Sequence, residues 1–152
     1  MERTISMRIL KNNLKVLGVF LVISILSLLV LIPIWNLLEA RGDSTLTGVT
    51  IIVFTSIVIL LHFISGRYLL YSSGNYFYDI LSFLFVIIVY IISIIAPRNF
   101  ISTFFYSPFL LLIITFKNQL YGVIIASLIP IISIFIGFIV KNKKAKSHSL
   151  KR

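Results

Sequence analysis

Four long apolar runs dominate this chain, at residues 16–35, 46–65, 76–96 and 120–140. Each has roughly the 20 residues a helix needs to cross a hydrocarbon core about 30 Å thick. A soluble domain devotes about a quarter of its residues to charge, whereas here 12% are charged and 59% hydrophobic. The polar residues are too few to coat a globule, so lipid is the expected solvent for most of the surface. The fold class expected is an all-α integral membrane protein. It is read as a four-transmembrane-helix bundle with an additional short, Pro-broken apolar segment at 100–116, either re-entrant or interfacial, or else a fifth span.

Polar punctuation separates the runs. "MERTISMRILKNNLK" opens the chain with Arg3, Arg8, Lys11 and Lys15. The run after it is too long for the h-region of a signal peptide, and "LEA" at 38–40 is a poor cleavage site, so an uncleaved first helix is expected. "NLLEARGDST" and "GRYLLYSSGN" form two connections. "PRN" at 97–99 ends the third run, because Pro97 cannot continue a helix and Arg98 is costly in hydrocarbon. The domains expected are a basic N-terminus at 1–15, a bundle at 16–140 and a basic tail at 141–152.

Charge chooses between four and five spans. With four, eleven of the fourteen basic residues fall on one side of the membrane. With five, the split is nearly even. Basic flanks mark the cytoplasmic side, so four spans with both termini cytoplasmic are expected, in the cell membrane. Segment 100–116 agrees with this reading. Phe100, Phe104, Phe105, Tyr106, Phe109 and Phe116 crowd around Pro108, and aromatic rings gather at membrane interfaces. Trp35 is expected at the outer interface, and Tyr68, Tyr71 and Tyr76 at the inner one.

Polar residues inside apolar runs carry the functional clues, since hydrocarbon supplies no hydrogen bonds. Asp79, Ser82, Tyr90 and Ser93 fall within an arc of roughly 80° on a helix. They form a candidate intramembrane polar face. Asp79 is expected to pair with Arg67, with His62 close by, all three at the cytoplasmic end. Gly122, Ala126, Pro130, Ser133 and Gly137 form a candidate helix-packing stripe of small residues, with a kink at Pro130. The tail reads as a solvated charge run that fixes topology or meets anionic lipid.

No Cys is present, so disulfide and thiolate chemistry is excluded. His62 and His148 with one intramembrane acid have no metal-site spacing, and no nucleophile–base or phosphate-loop motif occurs. No cofactor is expected. The +10 charge is concentrated at the ends of an apolar chain, which favours anionic headgroups over nucleic acid as the partner. A homo-oligomer or a membrane-protein partner is the other expectation. The composition, rich in Ile, Asn and Lys, fits an AT-rich bacterial genome. A non-enzymatic accessory or interaction protein is therefore expected. The alternative is a subunit of a small oligomeric transporter or channel using Asp79.

Overall fold

The computed structural model describes residues 2–42, 44–70, 76–95 and 105–149. It is helical, with no strand among the described residues. Helix α1 is Glu2–Arg41, α2 is Ser44–Leu69, α3 is Tyr76–Leu81 and α4 is Leu84–Ile95. A 3-10 turn, Ser107–Phe109, leads into α5, Leu110–Thr115, and α6 is Gln119–Ser149. Three of these helices are long and apolar enough to cross a membrane: Ser6–Arg41, Ser44–Leu69 and Leu120–Lys141.

The elements outrun the sequence boundaries. The basic N-terminal stretch is the first turns of α1, which rises about 60 Å in all. Arg67 and Tyr68 belong to α2 and not to a connection. The backbone of α6 stays helical through Pro130 and on to Ser149, so the basic tail extends the last helix. Helix propensity explains the extension, since Lys and Ala favour helix once a nucleus exists.

The third apolar run departs most from expectation. In place of one continuous helix it is two, broken at Ser82 and Phe83. The Ser82 and Phe83 amides bond three residues back, to Asp79 and Ile80, before α-helical bonding resumes at Ile87.

Helix direction follows from named contacts. The Lys15 ammonium donates to the Leu69 carbonyl, 3.0 Å, and Phe20 packs on His62, so α1 and α2 are antiparallel. Asn12 meets Ser82, and Phe20 meets Tyr90, so α4 runs with α1. The most extensive helix contact is between α2 and α6. There Gly66 abuts Ile134, Gly137 abuts Phe63 and Arg67, and Lys141 reaches the Leu70 carbonyl. These contacts advance in the same direction along both helices, so α2 and α6 are parallel. Large apolar side chains cover the outside, among them Leu29, Ile32, Ile52, Leu60 and Ile136. That surface suits acyl chains.

Candidate functional site

The core joins α1, α2, α4 and α6 with the Ser107–Phe109 turn pressed among them. Its polar residues lie in two layers.

The first layer surrounds the break between α3 and α4, beside the lysine-rich end. An unbroken helix would carry a bond from the Phe85 amide to the Leu81 carbonyl. The Asn13 side chain of α1 occupies that place. Its Oδ1 accepts the Phe85 N–H at 3.0 Å, and its Nδ2 donates to Leu81 at 2.8 Å and to Ile9 at 3.1 Å. Asn12 donates to the Ser82 hydroxyl at 3.2 Å, which in turn donates to the Tyr78 carbonyl at 3.2 Å. Both asparagines are 2% exposed. A polar side chain inserted into the backbone ladder is a recognised cause of a helix break. A groove of about 490 Å³ opens beside it, lined by Ile9, Leu10, Asn13, Tyr78 and Phe85 among others.

Lysines crown the same end. Lys15 and Lys141, from α1 and α6, donate to the carbonyls of Leu69, the last residue of α2, and of Leu70 just after it, at 3.0 and 2.8 Å. Those carbonyls have no intrahelical donor, and the helix dipole favours positive charge there.

Asp79 is 3% exposed, on α3 against α1. Ser82 and Tyr90 are buried beside it along the α3–α4 face. The Ser93 side chain lies outside the described residues, as does Pro97. The Arg67 guanidinium lies 5.4 Å from the centre of the Tyr68 ring. No ion pair between Arg67 and Asp79 occurs among the described residues. His62 sits about two helical turns further in than Leu69, packed on Phe20 and Phe109, with centroids 4.9 and 6.1 Å away. The three residues expected at one level thus occupy different surroundings. Tyr71 is outside the described residues, and Tyr68 is exposed beside the lysines.

The second layer lies deeper. Ser107 donates to the Ser24 carbonyl at 3.2 Å, near the middle of the apolar run of α1. Phe105 and Tyr106 pack on Tyr90, with centroids 6.3 and 5.9 Å away. From there α5 climbs along α1. Leu110 and Ile114 share a cavity with Leu28, Leu31 and Trp35, and Ile113 reaches Gly122 in the first turn of α6. Segment 100–116 was expected to be re-entrant or interfacial, or else a fifth span; its rings at 105–109 are inside the bundle, with Phe109 1% exposed. Residues 100–104 are outside the described part.

The small-residue stripe is used within the chain. Gly122 faces the backbone of α5, Gly137 faces α2, and Ala126 and Pro130 are fully buried. Sequence reasoning missed Asn12, Asn13 and Ser24. The signal available was the Asn12–Asn13 pair directly ahead of an apolar run. Among the described residues no group of three or more His, Cys, Asp or Glu is placed to hold a metal ion.

The described residues are all helical or in turns, and three helices are long and apolar enough to cross a membrane, which makes this a small multi-pass membrane protein. No protein-family model matches the chain, and no curated protein or solved structure matches it significantly.

Proposed function

We propose that this is a non-enzymatic, four-span protein of the cell membrane that acts through contacts, with both termini in the cytoplasm. The observation that carries the reading is the parallel packing of α2 on α6. Two helices run parallel when an odd number of crossings separates them. The α3–α4 pair supplies one crossing in the direction of α1. Segment 105–116 then starts at mid-depth and returns to the end it faces, which supports a re-entrant dip in place of a fifth span. Irregular backbone at membrane depth is tolerated when protein covers it, and Phe109 and Ser107 are so covered. Lys15, Arg67 and Lys141 gather at one end, as the positive-inside rule asks of a cytoplasmic face. The basic helical extensions beyond that end offer a surface for anionic headgroups or a membrane partner.

The test is topology. A reporter active only in the cytoplasm and one active only outside are fused in turn after Lys117 and after Val140. The expected result is Lys117 outside and Val140 in the cytoplasm. Val140 outside would overturn the reading and turn the search for partners to the envelope.

A second reading, a transporter subunit, draws on one observation. The interrupted α3–α4 helix carries a buried acid, Asp79, beside its break, and discontinuous helices build binding sites in many transporters. Flux through reconstituted vesicles, abolished by Asp79→Asn, would favour it.

A further inference from the structure

Six helical hydroxyls share one kind of bond. Thr50, Ser56, Ser65, Ser82, Ser127 and Ser133 each donate to the carbonyl four residues earlier, at 2.7 to 3.2 Å. That bond is how a helix inside a membrane keeps a hydroxyl satisfied without water. Thr115 bonds three residues back, to Leu112, and two buried hydroxyls among the described residues make no bond. The hydroxyls of Ser24 and Thr55 are buried and have no hydrogen-bond partner, and the same holds for Nε2 of His62. Ser24 and His62 are both 0% exposed.

Ser24 and His62 face one interior region. Phe20 lies against His62, and Ser24 is one turn further along α1 on the same side. Thr55, two turns from His62 along α2, is about 10 Å away and takes no part. The Ser107–Phe109 turn closes the region, with Ser107 bonded to Ser24 and Phe109 packed on His62.

The chemistry of the region is specific. His62 Nδ1 is 2.8 Å from the Val58 carbonyl. A carbonyl only accepts, so Nδ1 carries the proton, and in the neutral ring Nε2 is then a bare acceptor. Phe20 and Phe109 offer it no hydrogen bond. In a low-dielectric interior an unmet acceptor is expensive, and buried polar groups that find no protein partner are met by water held through two to four polar contacts.

We propose that His62 Nε2, with the hydroxyl of Ser24, forms a hydration site inside the bundle, whose ligand is a small neutral hydrogen-bond donor, water. A hydrated metal ion does not fit, because the site presents one imidazole lone pair and one hydroxyl, with no carboxylate among the groups named. An anion does not fit, because the lone pair of Nε2 repels it. The site makes His62 a histidine that exchanges protons with water from inside an apolar bundle, a property independent of whether the protein acts through contacts or transport.

The chain has two histidines, so a His148→Gln background leaves one signal. That protein, labelled with ¹⁵N and ¹³C at histidine and placed in bilayers of phosphatidylethanolamine and phosphatidylglycerol, is read by solid-state NMR. The expected spectrum shows a protonated Nδ1, an unprotonated Nε2 with the shift of a hydrogen-bonded acceptor, and magnetisation transfer from water to the His62 ring. Absence of water transfer overturns the proposal. Within that outcome, loss of the hydrogen-bonded Nε2 shift on Ser24→Ala identifies a direct Ser24–His62 bond in place of water. Because His62 stays intact in both samples, neither result depends on a histidine variant folding.

Discussion

Asn13 Oδ1 accepts the Phe85 amide at 3.0 Å, taking the position that the Leu81 carbonyl would hold in a continuous helix. The same carboxamide donates to Leu81, so both halves of the severed backbone bond end on one side chain of α1. The break between α3 and α4 is thereby held by tertiary contact and not by Gly or Pro, neither of which occurs at 79–87.

Asn13→Asp separates the two halves of that clamp. A carboxylate can still accept from Phe85 but cannot donate to Leu81 or Ile9. The variant is expected to lose about 1–3 kcal/mol, the usual cost of an unmet buried group. Thermal unfolding in mild detergent would show it. A midpoint equal to the parent's would mean the clamp adds nothing.

Gly66 and Gly137 sit where α2 and α6 touch. A Cβ on Gly66 would overlap the Ile134 carbonyl, and one on Gly137 would overlap that of Phe63. Backbone cannot swing aside as a side-chain tip can. Gly66→Ala or Gly137→Ala should therefore destabilise by about 3 kcal/mol or more, the upper end of overpacking. Gly18 and Gly48 have nothing within 4 Å of the added carbon. Alanine there should be neutral or stabilise by up to about 1 kcal/mol through helix propensity. The four unfolding curves form one experiment, and a uniform response would contradict the packing.

Lys15→Met and Lys141→Met keep the aliphatic stem and remove the ammonium. Each is expected to cost about 0.5–1 kcal/mol, the scale of a cation at a helix C-terminus. The two bonds end on different carbonyls, so the double variant should lose roughly the sum. Chemical denaturation at low and high salt would check both the size and its partial screening.

Asp79→Asn separates the two functional readings. If the protein acts through contacts, vesicles holding the parent are expected to show no cation or proton flux above empty vesicles, and the variant to match them. Flux in the parent that the variant lacks would transfer the assignment to transport.

The apolar runs and the charge at their ends determined, from sequence alone, that this chain is helical and built for a membrane. Length and composition suffice there, because hydrocarbon forbids unpaired backbone and leaves helices as the economical answer. Asp79, Ser82 and Tyr90, placed on one arc by helical periodicity, are buried, but the break at Ser82 and Phe83 divides that arc between two helices. Tertiary structure alone decided the rest. Hydropathy over 76–96 looks continuous, since a break made by Asn13, about 70 residues away, leaves no local mark. The rings around Pro108 could serve an interface or an interior, and only their contacts with Tyr90, His62 and Ser24 put them inside. Arg67 and Asp79 are opposite charges near one another in sequence, but their surroundings depend on where α2 stops and how α3 lies on α1. The hydroxyls of Ser24 and Thr55 look like those of Ser56 and Ser65. What distinguishes them is which bond each makes, and side-chain rotamers within a packed interior settle that.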